Sequence, residues 1–259
     1  MCRVDGRGVG APLAGVRGGS AECHGVSIGS RAAVAALACA LLAAIGGCGS
    51  LKQIGAGAHN EAPHSFTITG HVTTVVIEGG ASSITVTGSD RSTILVSQQA
   101  SYTKTAPATS RRVAGDTLTL SYSCSAQLVC GVEYDVQVPR GVAVQASTRA
   151  GAITLTSLAG DVSAKTDAGL ITVNDLSSAT VELKSDAGGI IAAFSAAPGS
   201  LSASTNIGSI SLTVPGTVSY QIHTHTYVGS STVKVRKNPA SPHVISASSD
   251  LGSITISTA

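Results

Sequence analysis

No tryptophan and only two phenylalanines occur in this chain of 259 residues, and charged residues make up 12% of it. That is about half the usual charged quarter. Without large rings, a core must come from many small and β-branched side chains in shallow layers. Thr and Val, which are abundant here, suit a pleated, half-buried surface. Net charge is also nearly absent. The formal +2 comes from Arg3, Arg7, Arg17 and Arg31 against Asp5 and Glu22, and the chain beyond residue 47 is neutral. A neutral body with few aromatic platforms excludes the usual modes of nucleic-acid binding, which need a basic footprint and often stacking rings. No Cys–His pair, zinc-protease helix motif, phosphate loop or paired-carboxylate signature stands out. Ser and Thr are too numerous for a nucleophile to be singled out. The expectation is a non-catalytic protein with no metal and no cofactor.

The longest apolar run, residues 32–47 ("AAVAALACALLAAIGG"), follows Arg31 and precedes Cys48. It falls short of the roughly 20 residues a membrane-spanning helix needs. A basic residue, a short apolar stretch and small residues before a cut site describe an export signal. The ending Ile45-Gly46-Gly47-Cys48 resembles a bacterial lipobox, which implies cleavage between Gly47 and Cys48 and diacylation of Cys48. Two acyl chains anchor firmly where one anchors marginally, at about 0.8 kcal/mol per buried methylene. The alternatives are an uncleaved signal anchor or a cysteine there by chance. Residues 1–25 are too long and Gly-rich for an ordinary leader and suggest a mis-assigned start, with translation beginning near Val26. Gly25-Val26-Ser27-Ile28-Gly29 matches the hydrolase elbow but lacks its strand–turn–helix context.

After Cys48 only Cys124 and Cys130 remain, flanking "SAQLV" between the alternating runs "DTLTLSYS" and "EYDVQVP". Export would place them in an oxidising space, and a disulfide is expected there. It would contribute about 2 kcal/mol on the chain-entropy model. A reduced pair or a metal site are the alternatives, the latter poor for want of nearby His or Cys partners. Residues 48–65 read as a lipidated tether and residues 66–259 as the folded domain.

From Phe66 onward short segments alternate apolar and polar between Gly, Ser and Asp turn signals, so the chain is all-β. The second half repeats. Copies align on Gly151, Gly169, Gly188, Gly208 and Gly252, at spacings of 18, 19, 20 and 44 residues, the last being two periods of 22. Apolar residues stand two and four positions after each glycine, as in Ile153/Leu155 and Ile171/Val173. A unit of two short strands cannot bury its apolar face alone. Stacking units at about 4.8 Å buries a continuous column, giving a β-solenoid of two-strand coils of about 18–22 residues. The long final interval reads as a degenerate unit with an extended turn at Asn238-Pro239.

Two residues before each glycine stand Arg149, Asp167, Asp186, Asn206 and Asp250. Asp and Asn commonly bond to the backbone two residues on, while Gly supplies φ > 0. The pairs Asp167/Gly169, Asp186/Gly188, Asn206/Gly208 and Asp250/Gly252 therefore read as structural turns. A calcium ladder would need six to eight oxygens per site, against one carboxylate per coil here. His223 and His225 share one strand face without a third ligand and read as solvated. Lys234, Arg236 and Lys237 read as a solvated, charged edge that blocks strand addition, and Arg111 and Arg112, in the loop "TAPATSRR", read the same way.

The run "EYDVQVPRGVAVQASTRAGAITLTSLAGDVSAKTDAGLITV", with its Val138-Pro139-Arg140-Gly141 turn and repeated x-x-G-x-I-x-V coils, resembles the bacterial β-strand-repeat family known as "putative adhesins", domains of unknown function. The resemblance spans residues 66–259 and implies a right-handed β-solenoid associated with the cell envelope, with no catalytic residues to carry over. The leading expectation is a lipid-anchored surface interaction module whose partners are the membrane, through the lipid, and a protein or envelope polymer, with no nucleic acid. An envelope scaffold or sensor accessory is the second reading. A polysaccharide-acting β-helix enzyme is the third, and the turns lack the clustered acids it would need.

Overall fold

The computed structural model describes residues 57–259, which belong to one compact unit. The leader, the Gly47/Cys48 cleavage site and the first part of the expected tether lie outside the described residues. The N-terminal strands are β1 (His59–Asn60), β2 (His64–Ile68), β3 (Thr74–Glu78), β4 (Ile84–Ser89), β5 (Ile94–Tyr102), β6 (Ala108–Ala114), β7 (Thr117–Ser123) and β8 (Cys130–Pro139). The repeats supply β9 (Ala143–Ala150), β10 (Ile153–Thr156), β11 (Val162–Ala168), β12 (Ile171–Leu176), β13 (Thr180–Ala187), β14 (Ile190–Phe194), β15 (Ser200–Ile207) and β16 (Ile210–Val214). The chain ends with β17 (Gln221–Val228), β18 (Ser231–Lys234), β19 (Val244–Leu251) and β20 (Ile254–Thr258).

These strands form two largely parallel sheets, as a β-solenoid-like stack requires. One runs β17-β19-β15-β13-β11-β9-β3-β7-β6, the other β1-β5-β8-β4-β10-β12-β14-β16-β20-β18, with β2 also on β5. The alternation read from the sequence is the reason: in β11, Val162, Ala164 and Thr166 point inward while Ser163 and Lys165 face out. In-register pairing then lines up identical positions. Ile84, Ile153, Ile171, Ile190, Ile210 and Ile254 form one column, and Val86, Leu155, Val173, Ala192, Leu212 and Ile256 the next. Both columns are fully buried or nearly so. Each aliphatic side chain buried this way contributes about 1.5–3 kcal/mol.

The third inward position of each repeat is not hydrocarbon. Thr148, Thr166, Ser185, Thr205, Ser249 and Thr226 share one column, each three residues before a glycine. Each hydroxyl donates to a corner carbonyl of the neighbouring coil. Ser185 Oγ reaches Gly169 O at 3.0 Å, Thr205 Oγ1 reaches Gly188 O at 2.8 Å and Ser249 Oγ reaches Gly208 O at 2.9 Å. The same glycines donate their N–H to that neighbour, as in Gly169 N to Ala187 O at 2.9 Å. A Cβ at Gly188 would fall on the carbonyl oxygen of Gly169, and φ there is +151°. Glycine is therefore required by both space and backbone conformation.

Two sequence expectations need correction. The turns are held by the Ser/Thr hydroxyl, not by the Asp or Asn after it: Asp167, Asn206 and Asp250 are exposed and Asp186 is half-exposed, and the corner bonds come from their neighbours. The tether ends earlier than residue 65, because His59–Asn60 and His64–Ile68 pair antiparallel with β5. The final interval spans two periods, as its length implied, and its extra unit is degenerate, with Thr224 and Ser231 at inward positions where β19–β20 carries Ala247 and Ile254. That unit is a full coil, β17–β18, with its own corner at Gly229, and Thr226 Oγ1 donates to Gly252 O at 2.9 Å.

Coil order in space departs from order in sequence at both ends. β3 and β4 sit between β7/β8 and β9/β10, and the C-terminal coil β19–β20 is inserted between β15/β16 and β17/β18. At the N-terminal end the stack closes through antiparallel pairs, β5 on β8 and β6 on β7. At the other end β17 and β18 each have, among the described residues, a neighbour on one side only.

Substituting Gly188→Ala is expected to destabilise the fold by about 3 kcal/mol or more, since it combines a steric clash with a disfavoured backbone. Ser185→Ala should cost about 1–3 kcal/mol, the penalty for an unsatisfied carbonyl. Urea denaturation of the two variants, compared with the wild type, checks both the magnitudes and their order.

Candidate interaction surfaces

Cys124 and Cys130 are joined by a disulfide, closing the loop between β7 and β8. The loop is further tied down by Gln127. Its Oε1 accepts from the N–H groups of Thr103, Lys104 and Thr105, at 3.2, 2.8 and 3.2 Å, and its Nε2 donates to Thr105 O at 2.7 Å. This arrangement presents Leu128 to solvent, 89% exposed, with Val129 beside it. Below lies a cleft of about 520 Å³ bordered by Tyr122, Leu128, Cys130, Glu133 and Arg149. The Tyr122 hydroxyl accepts from Gly80 N at 2.9 Å and Ala81 N at 3.0 Å, which fixes the cleft wall. Arg149, which borders this cleft, occupies the position where the next coils carry Asp or Asn. The spacing of the two cysteines pointed to the loop, but neither the exposure of Leu128 nor the cleft was legible before the strands were placed.

The outward faces of the sheets carry ranks of hydroxyls. Thr85, Thr154 and Thr172 align in one column and Thr87, Thr156 and Asn174 in the next. On the other sheet Ser204, Ser248 and His225 align, as do Ser202, Ser246 and His223. Both histidines are exposed, as their alternation implied. Lys234, Arg236 and Lys237 are exposed at the end of β18 and just beyond it, and Arg111 and Arg112, expected in a loop, instead lie on β6, which pairs antiparallel with β7 and whose seven residues are all exposed. Arg111 stacks over the Phe66 ring at 4.6 Å.

One corner of the stack is apolar. The residue before each glycine is Ala168 or Ala187 in the middle coils, and then Ile207, Leu251 and Val228 in successive coils. These three are 57%, 47% and 55% exposed, and Tyr227 beside them is 82% exposed. Large apolar side chains exposed in a contiguous row mark a contact surface. Among the described residues, no three His, Cys, Asp or Glu side chains gather in a metal-binding arrangement.

At the opposite corner Ser157 and Asp175 both have φ near +54°, and Ser157 Oγ donates to Asp175 Oδ2 at 2.9 Å. The hydroxyls of Ser157 and then Ser195 hold the Asp175 carboxyl below its usual value. The nearby ion pair between Arg140 and Asp90, at 2.9 Å, is exposed on both sides and contributes little.

No family model matches the chain, and no curated protein matches it. Solved structures do. A "putative adhesin" from Bacteroides fragilis aligns with TM-score 0.42 at 12% identity, over 77% of this chain and 98% of that one. A "putative cell adhesion protein" from Clostridium sporogenes aligns with TM-score 0.37 at 10% identity, over 76% and 100%. A "putative adhesin" from Parabacteroides distasonis gives 0.33 at 13%, over 76% and 97%. Scores below 0.5 at such identities assign neither family nor role.

Because the Asp175 pKa is lowered in the folded state, its contribution to stability is present above the ordinary carboxylate value and is lost as pH falls through the lowered one. As pH falls from neutral through the carboxylate range, the wild type should therefore lose stability that Asp175→Asn does not. Urea midpoints measured across that range for both proteins check the difference in slope.

Proposed function

We propose that this chain is an exported, lipid-anchored protein of the bacterial cell envelope, and that its right-handed stack of 18–22-residue coils is a non-catalytic, adhesin-like interaction module. The observation that carries the reading is the loop closed by Cys124–Cys130, which holds an apolar side chain, Leu128, almost wholly in water above a cleft. Holding Leu128 in solvent gains nothing for the fold, and burying it against a partner would contribute about 1.5–3 kcal/mol. The disulfide itself supports an oxidising, extracytoplasmic location. The Arg31 to Cys48 pattern supports export and lipid attachment at Cys48 after cleavage from Gly47. The partner this surface suits is a protein or an envelope polymer with an apolar element and hydrogen-bonding groups to meet the surrounding hydroxyls.

Metabolic labelling with an alkyne fatty acid tests the anchor. The wild type should be labelled and sediment with membranes, and Cys48→Ser should lose the label and move to the soluble fraction. Retention of label by Cys48→Ser would remove the anchor from the reading. Cosedimentation with isolated envelope polymer tests the surface. Leu128→Asp is expected to lower the affinity about tenfold, which corresponds to about 1.4 kcal/mol, without altering the denaturation midpoint.

A further inference from the structure

We propose that the open end of the stack is a homodimer interface, at which the β17–β18 coil of one copy pairs edge to edge with the same coil of a second copy. Gln221 N donates to His243 O just before β19, so by alternation the backbone groups of Ile222, Thr224 and Thr226 point away from β19, off the end of the stack. Ile254 N donates to Ser230 O, which likewise turns the backbone groups of Ser231 and Val233 outward from β18. The connection after β18 covers only the first step of this edge, through Tyr220 N to Arg236 O and Asn238 N to Tyr220 O, both 2.9 Å. Two open rails therefore stand side by side. Between them Ile222, Val233 and Val235, which pack on the core, are only partly buried.

Proteins normally guard such edges with short strands, charges or proline. The other end of this stack is guarded in that way: β1 is two residues long, and β6 carries Arg111 and Arg112. β17 has eight residues, Gln-Ile-His-Thr-His-Thr-Tyr-Val, with no Lys, Arg, Asp, Glu or Pro. The one charge on either rail is Lys234, at the last position of β18; the rest of the basic face expected to block strand addition lies past the strand, where Arg236 donates to Gly216 O at 2.8 Å.

The occupant follows from the double rail. A single extended peptide can satisfy one rail and leaves the apolar interior open. A second coil end satisfies both and covers Ile222, Val233 and Val235. The guarded end cannot serve, because it would bring Arg111 and Arg112 into the contact, so head-to-tail growth is disfavoured. Two open ends related by a two-fold axis pair their rails antiparallel, a closed arrangement of the commonest oligomeric class. With the axis along the strands, β17 lies on the partner copy's β18. The exposed Ile207, Leu251 and Val228 row then runs on into the same row of the second copy.

Light scattering on the full-length protein in a mild detergent, corrected for bound detergent, tests this directly. The wild type is expected to give the mass of two chains. Thr224→Pro removes an outward donor without touching the β19 pairing and should give one chain, as should the double variant His223→Lys with His225→Lys. The latter alters only exposed side chains and places like charges across the contact, so it keeps the test valid if the proline variant does not fold. Lys165→Gln, on the same face in mid-stack, should remain dimeric. A single-chain mass for the wild type would overturn the proposal in favour of a strand from a different protein. Dimers undiminished in the double lysine variant, or an open-ended series of masses, would also overturn it.

Discussion

At each repeated corner the backbone turns so sharply that a carbonyl oxygen points into the stack, beside the place where the neighbouring coil's Cβ would be. Two conditions must hold there at once. The neighbouring coil must have no side chain at that corner, hence Gly169, Gly188, Gly208 and Gly252, and it must supply a donor to the buried oxygen, hence Ser or Thr three residues earlier. Leaving such a carbonyl unpaired costs about 1–3 kcal/mol at every level of the stack. The two conditions also fix register, because slipping a strand by one residue would point the hydroxyl outward and set a polar residue among the isoleucines. The aliphatic columns supply most of the stabilisation, and the hydroxyl column dictates where each coil sits.

The same logic explains the exchanged order at the C-terminal end. β19–β20 carries Ile245, Ala247, Ile254 and Ile256 on its inner positions, whereas β17–β18 offers Ile222, Thr224, Ser231 and Val233. An interior level is covered on both sides and a terminal level on one. Putting the isoleucine-rich coil inside and the Ser/Thr-containing coil outside buries more hydrocarbon and fewer hydroxyls. Two isoleucines in place of a serine and a valine favour that order by about 2–3 kcal/mol. Chain connectivity accommodates it through the segment between Lys234 and Val244, whose ordering by Tyr220 and Ser241 belongs to this crossing.

The surfaces separate into a rigid, polar body and a few apolar places. Scarcity of aromatics and charge leaves most outward positions to Ser and Thr, half-buried within their ranks. Against that background Leu128 on its stapled loop and the Ile207, Leu251 and Val228 row stand out by exposure alone. They lie at different parts of the stack, the former beside the β7–β8 connection and the latter running to the unguarded edge. One suits contact with a foreign partner and the other suits pairing between like coils. Leu128 is positioned by the disulfide and the Gln127 bonds beside it, and the row by the in-register stacking of β15, β19 and β17.

By itself the sequence determined the all-β class, the glycine-centred repeat, the aliphatic columns and the cysteine pair. Those depend on local alternation and spacing, which a linear string records. The Ser/Thr before each turn was also present in the string, but in a chain so rich in both residues its period was hidden by the more obvious Asp two residues before each glycine. Only the tertiary structure decided that this Asp is solvent-facing, that the last two coils exchange places, that Leu128 overhangs a cleft and that β17 ends the stack with no strand on its outer edge among the described residues. Each of those is set by which coil lies against which. Coils that share one inward pattern can stack in any order as far as the pattern is concerned, so the choice falls to burial and hydrogen bonding between residues up to about seventy positions apart, such as Thr148 and the Gly80 carbonyl.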